Sequence, residues 1–229
     1  MKITIFQHVP FETPGSIESW ALSRSAELST VELYNHQRPS VPPDCDLLIL
    51  MGGPMSVGDQ DKHPWLADEM KALERVLKSD LPVLGICFGA QLIANVLGMR
   101  IFKNKYKEIG WFPVERIGDN PDGLDLLPEK FEAFHWHGES FDIPQGAKHI
   151  ARSEACENQA FLYKDRVAAL QFHLETTLPL LQGMIDKCGD ELDGSKYVQS
   201  PEEMLAEHHR FYKVNGLMNT VLNRLTDLK

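Results

Sequence analysis

The chain is poor in cysteine, short of positive charge and without any long apolar run, and each shortage excludes a class of protein. Its four cysteines, Cys45, Cys87, Cys156 and Cys188, are scattered over 229 residues with no Cys-x-x-Cys pair. That spacing argues for reduced thiols and against a disulfide or zinc framework. Lys and Arg number 23 against 33 Asp and Glu, a net charge of −10, so neither nucleic acid nor an anionic membrane is expected as a partner. No run of 18 apolar residues occurs, and Met1 leads straight into a strand pattern, which predicts a cytoplasmic protein without a membrane span. Repeats, low-complexity tracts and Walker-type phosphate loops are missing too. What is present, 43% hydrophobic and 24% charged residues, suffices for one globular domain with a sizeable core. A single domain over 1–229 is expected, closing with C-terminal helices over about 178–229.

Apolar runs of strand length at 1–6, 31–34, 46–51 and 83–86 alternate with helical patterns at 15–28, 64–78 and 88–97. This βαβ series predicts an α/β fold, a three-layer sandwich with a mainly parallel central sheet and helices on both faces. Ligands bind such sheets at the carboxyl ends of strands. From Arg100 to Arg152 the pattern turns to shorter strands, at 100–102, 109–115, 131–136 and 148–152. Helices are expected over 178–188 and 200–228, the second opened by Ser200-Pro201-Glu202-Glu203 as cap, first-position proline and first-turn acids. Its apolar face, which includes Phe211, Val214, Leu217 and Leu225, suits packing on the sheet better than a subunit interface.

Chemistry concentrates at Leu81-Pro-Val-Leu-Gly-Ile-Cys-Phe-Gly-Ala-Gln91, a buried strand running into a helix with Cys87 at the corner. Gly85 and Gly89 clear side chains from both sides of the turn. The free N–H groups and dipole of the helix N-terminus favour a thiolate there, which would be alkylated below the ordinary thiol range. The plain alternative is a small buried hydrophobe. Downstream, Val167-Ala-Ala-Leu-Gln-Phe-His-Leu-Glu175 is an apolar strand ending in His173 and Glu175, whose i, i+2 spacing points imidazole and carboxylate the same way. Upstream, the strand 47–51 breaks into Gly52-Gly53-Pro54, a turn able to aim a backbone N–H at an oxyanion together with the N–H of Phe88. A core histidine, a solvated glutamate and an ordinary turn are the plain alternatives. His135 and His137 also stand at i and i+2, but no third ligand at metal-like spacing is evident, so neither a metal nor a cofactor is expected.

Taken together, Gly85-x-Cys87-x-Gly89-x-Gln91, His173-x-Glu175 and Gly52-Gly53-Pro54 fall in an order that resembles the class I glutamine amidotransferases. The closest resemblance is to the amidotransferase domain of GMP synthase and its stand-alone relatives; Glu108-Ile-Gly-Trp-Phe-Pro-Val114 is similar to a stretch of the latter. The resemblance covers residues 1 to about 180 and implies a flavodoxin-like fold. It implies Cys87 as nucleophile, His173 as base, Glu175 as orienter, and Gly53 and Phe88 as oxyanion donors. Gln91, Gly52, Pro54 and His137 would hold the substrate, glutamine or a γ-glutamyl compound. The implied reaction is hydrolysis of the glutamine side-chain amide, with ammonia passed to a separate synthase, because no ATP-pyrophosphatase domain follows in the sequence. Two departures stand out: Leu174 where the family has proline between His and Glu, and Glu139 where it has the aspartate of His-Gly-Asp. A free-standing γ-glutamyl amide or peptide hydrolase is the alternative. A non-catalytic, chaperone-like protein of the DJ-1 type is a second one, although that type lacks the His-x-Glu pair.

Overall fold

The computed structural model describes residues 1–118 and 127–227. Nine strands form one sheet: β1 (Lys2–Gln7), β2 (Glu27–Glu32), β3 (Leu47–Leu50), β4 (Val83–Ile86), β5 (Ile101–Arg116), β6 (Lys130–Phe141), β7 (Ala147–Ser153), β8 (Ala160–Tyr163) and β9 (Val167–Leu170), in the order β2-β1-β3-β4-β9-β8-β7-β5-β6. Six α-helices accompany them: α1 (Ser16–Ser23), α2 (Trp65–Lys78), α3 (Phe88–Val96), α4 (Leu178–Cys188), α5 (Pro201–Leu205) and α6 (His209–Thr226).

The parallel strands alternate between two cores, as the two-residue period of a strand requires. Ile3, Ile5, Leu47, Ile49, Leu84, Ile86, Ala168 and Leu170 face α1, α4 and α6, while Phe6, Leu48, Leu50, Val83, Val167 and Ala169 face α2 and α3. Burial on both faces explains why these strands read as continuous apolar runs. Three layers result, with α6 laying Phe211, Val214, Met218, Val221, Leu222 and Leu225 into the first core.

The expectation of a mainly parallel sheet is corrected. Four adjacent pairings are parallel, linking β2, β1, β3, β4 and β9, and the four that follow through β8, β7, β5 and β6 are antiparallel. The reason lies in connection length: α1, α2 and the long 33–46 segment supply the crossovers of the first half, whereas turns too short for a crossover link β7, β8 and β9. The strands expected at 100–102 and 109–115 are one strand, β5, whose register on β6 shifts between Lys103 and Glu108. The helix expected over 200–228 is broken into α5 and α6, and Leu228 lies outside the described residues. Ser200 caps α5 through a reciprocal box with Glu203. Among the described residues, no helix is long and apolar enough to cross a membrane.

Candidate active site

The carboxyl ends of β1, β3, β4 and β9 lie next to one another, and the residues that follow them converge. Cys87 follows β4 at φ 49° and ψ −106°, a left-handed position that costs a non-glycine residue on the order of 1–3 kcal/mol. Packing holds it there. The Cys87 N–H donates to Leu170 O at 2.7 Å and the Gly89 N–H to Met51 O at 3.1 Å, so the elbow is tied to β9 and β3 at once. A Cβ at Gly89 would collide with the Leu50 carbonyl, which makes glycine a requirement of that approach. Phe88 opens α3, so its N–H has no intrahelical acceptor.

His173 lies three residues beyond β9. Its N–H donates to Phe134 O at 2.8 Å, an isolated bridge to β6. Leu174 is fully buried and Asn215 of α6 donates from Nδ2 to Leu174 O and Thr176 O, both at 2.9 Å, so the segment is clamped without the proline that the family uses. The imidazole and carboxylate do point the same way: His173 Nδ1 donates to Glu175 Oε1 at 2.7 Å, with both side chains buried. The opposite nitrogen, Nε2, is buried and has no hydrogen-bond partner of ordinary geometry, yet the Cys87 thiol is near enough to interact with it directly. Burial opposes a charge on His173, but Glu175 and Cys87 outweigh it and raise its proton affinity well above the ordinary range.

Cys87 departs from expectation. Burial pushes its thiol up, and the Glu12 and Glu175 carboxylates add to that, beyond what His173 recovers. The helix N-terminus therefore does not by itself bring the thiol below its ordinary range. Sγ donates to Trp136 O and accepts from Gln171 Nε2, each at 3.6 Å.

Gly53 lines a cavity with Cys87, and Gly52 packs behind it against Glu12 and His173. A Cβ at Gly52 would collide with Glu12 Oε2 and approach His173 Cε1 at 3.2 Å. The loop is held by His8, whose Nδ1 donates to Gly52 O at 3.0 Å while Nε2 faces Glu69 Oε1 at 2.9 Å. Burial works against a charged His8, but Glu69 and the Gly52 carbonyl raise its proton affinity overall.

A cavity of about 300 Å³ opens on Cys87 and is lined also by Gly53, Pro54, Gln91 and His137. Pro54, Gln91 and His137 were expected at the substrate and Gly53 at the oxyanion; Gly52, also expected at the substrate, lies behind the wall and does not line the cavity. Gln91 donates from Nε2 to Gln171 Oε1 at 3.1 Å and Glu139 O at 3.4 Å, so its amide is built into the wall. At the site where the family has aspartate, Glu139 contributes its backbone carbonyl, which also meets His137 Nδ1 at 3.1 Å. A larger cleft of about 650 Å³, lined by Pro43, Asp80 and Arg166 among others, contains none of the expected site residues.

The reading that His135 and His137 lack a third ligand needs correction. Pairing of β5 with β6 sets Glu108 opposite His137, and its Oε2 lies 3.2 Å from His137 Nε2 and 3.6 Å from His135 Nδ1. The same oxygen accepts from Gln159 Nε2 at 2.7 Å and Ser153 Oγ at 3.1 Å, so a protein hydrogen-bond network already occupies it. Five residues escaped the sequence reading: His8, Glu12, Glu108, Gln171 and Glu191. His8 follows β1 directly and Glu12 lies five residues beyond its end, and their place after a parallel strand was the available signal.

The fold and this geometry agree with the comparisons. Residues 13–188 match the family described as glutamine amidotransferase class-I, and the chain belongs to it. A glutamine amidotransferase from Thermotoga maritima superposes with a TM-score of 0.90 at 31% identity, covering 99% of this chain and 98% of that one. One from Methylobacillus flagellatus gives 0.92 at 28% identity over 99% and 94%. The chain is 37% identical over 65% of its length to a glutamine-hydrolysing GMP synthase subunit of Sulfurisphaera tokodaii, covering 77% of that protein. It is 38% identical over 62% of its length to the GMP synthase of Thermomicrobium roseum, of which it spans only 27%.

Proposed function

We propose that the chain is a glutaminase of the amidotransferase type, hydrolysing the side-chain amide of glutamine through a Cys87 thioester. One observation carries the reading: a buried histidine, oriented by its own carboxylate at 2.7 Å, turns its unpartnered nitrogen to a cysteine on a left-handed elbow. Those are the three parts of an activated nucleophile.

His173 Nε2 takes the thiol proton as Sγ attacks the carboxamide carbon. The oxyanion is held by the N–H groups of Gly53 and Phe88. The imidazolium, stabilised by Glu175, protonates the departing ammonia, and His173 then activates the water that hydrolyses the thioester. Burial suits this sequence, since it disfavours a bare thiolate and leaves the thiol proton to be exchanged between Sγ and His173 Nε2. The ammonia is supplied to a separate, GMP synthase-like acceptor; the likeness to the Sulfurisphaera tokodaii protein supports that assignment.

The test is ammonia release from glutamine and from a γ-glutamyl dipeptide, with Cys87→Ala alongside. Cys87-dependent release from glutamine is expected. Preference for the dipeptide would replace the reading with a self-sufficient γ-glutamyl hydrolase, and release by the alanine variant would overturn the nucleophile.

A further inference from the structure

The charged side chains on the wall of the Cys87 cavity are Glu12, Asp59, Glu139 and Glu191, with no Lys or Arg among the described residues. Two of these carboxylates have partners. Asp59 pairs with Lys62 at 2.7 Å and accepts from the Ser56 N–H at 2.9 Å, and Glu191 Oε1 accepts from Trp136 Nε1 at 3.2 Å. Glu12 is different. It is 5% exposed, lines the cavity, and has neither a hydrogen bond nor an ion pair with any described residue. Its Oε2 rests over Gly52, beside the ring of His173.

A buried carboxylate without a donor is costly, and the cost is relieved by protonation or by a cation. A carboxylate this close to a nucleophilic sulfur also opposes thiolate formation, which a bound cation would offset. Both arguments ask for positive charge from the ligand, because no Lys or Arg among the described residues lines the wall and His8 and His173 are committed to Glu69 and Glu175.

We infer that Glu12, with Glu191 beside it, binds an ammonium group of the amide donor, so that the cavity selects carboxamides carrying a free ammonium and does not require a carboxylate. The inference rests on the proposed role of Cys87 and adds the charge of the substrate to it. With the donor seated, its ammonium neutralises Glu12 and the Cys87 thiol passes its proton to His173 Nε2 as Sγ attacks the amide carbon.

Two probes divide glutamine between them. 4-Aminobutanamide is glutamine without its carboxylate, and glutaramate is glutamine without its ammonium. Binding of each to Cys87→Ala, measured by calorimetry, reads the preference without turnover, and kcat/KM for ammonia release reads it in the active protein. 4-Aminobutanamide is expected to be favoured by about tenfold or more, the scale of one charged hydrogen bond, and Glu12→Gln to bring the ratio close to one. Glutamine is a near-isosteric replacement that removes a buried charge, so the variant should fold.

The wild-type ratio is a second readout. The groups facing Glu12 are His8, His173, Glu175 and Glu191 together with the Cys87 and Cys188 thiols, and the carboxyl itself is pushed up to about 7, chiefly by burial. Ammonium binding requires the ionised form, so the preference should be larger at pH 8 than at pH 6, and flat in Glu12→Gln. Equal or better binding of glutaramate, or a preference that survives Glu12→Gln, overturns the inference. Glu12-dependent binding without Cys87-dependent ammonia release would instead uphold it and overturn the proposed role of Cys87.

Discussion

Where Phe134 meets His173, two buried histidine and carboxylate assemblies stand side by side with opposite charge behaviour. In the first, His173 has Glu175 to itself at 2.7 Å and binds its proton well above the ordinary range. In the second, Glu108 is shared: Gln159 and Ser153 hold its Oε2, and His135 is left 3.6 Å away. Burial then dominates His135 and lowers its pKa to about 4, while Glu108 is held near 2 in spite of burial. Since His135 is neutral above about pH 4, at neutral pH that carboxylate rests on Gln159, Ser153 and His137. Residue type and burial are the same in the two assemblies. The difference is that one carboxylate is committed to a single ring and the other to a network, which suits the first to proton transfer and the second to holding β5 against β6.

The largest expected effect separates the two. Cys87→Ala and His173→Ala should each lower amide hydrolysis by about 10⁴-fold with the fold intact by circular dichroism, because the members of such a unit act together. Next, Glu175→Gln should make His173 behave like His135. Its proton affinity should fall in an NMR titration, and kcat should drop by about 10²- to 10⁴-fold; an unchanged titration would break the comparison. Third, Glu108→Ala should cost about 3–5 kcal/mol of stability by chemical denaturation, since it leaves buried donors unpaired. His173 should titrate as before.

Glu12 gives a smaller, pH-dependent effect. Its folded pKa of about 7 lies above the unfolded carboxyl value, so the folded state binds the extra proton and is stabilised relative to a charged Glu12 as pH falls from 7 toward 4.5. Glu12→Gln should therefore be more stable than wild type at pH 8, by about 3 kcal/mol at most, and the gap should close by about pH 4.5. His135 has the opposite sign: its depressed pKa removes stability as pH falls from about 6.5 to 4, and the loss shows most clearly in the Glu12→Gln background. The smallest effect is on labelling. Cys87 should be alkylated by iodoacetamide at a higher pH than a free thiol, with the midpoint moved down in Glu12→Gln.

Much of this arrangement was legible along the chain because its parts are local. Gly85, Cys87 and Gly89 form a turn within five residues, and His173 and Glu175 share one side of a short segment, so short-range geometry sufficed. The antiparallel half was harder, since the apolar runs of β7, β8 and β9 do not reveal which neighbour each will pair with. Glu108 meets His137 only through the register of β5 on β6, which no local pattern announces. Glu12 and Gln171 carry no motif; their meaning comes from the strand ends that bring them to Cys87. The raised thiol was missed for a similar reason: the helix dipole is local and visible in sequence, whereas burial and the Glu12 carboxylate are tertiary.

The most direct test of the central claim is to mix the protein with glutamine, quench in acid over a series of times, and weigh the Cys87 peptide. The account predicts a glutamyl thioester on Cys87 that forms and decays within turnover and is absent from Cys87→Ala. Ammonia release with Cys87 unmodified at every quench time would contradict it.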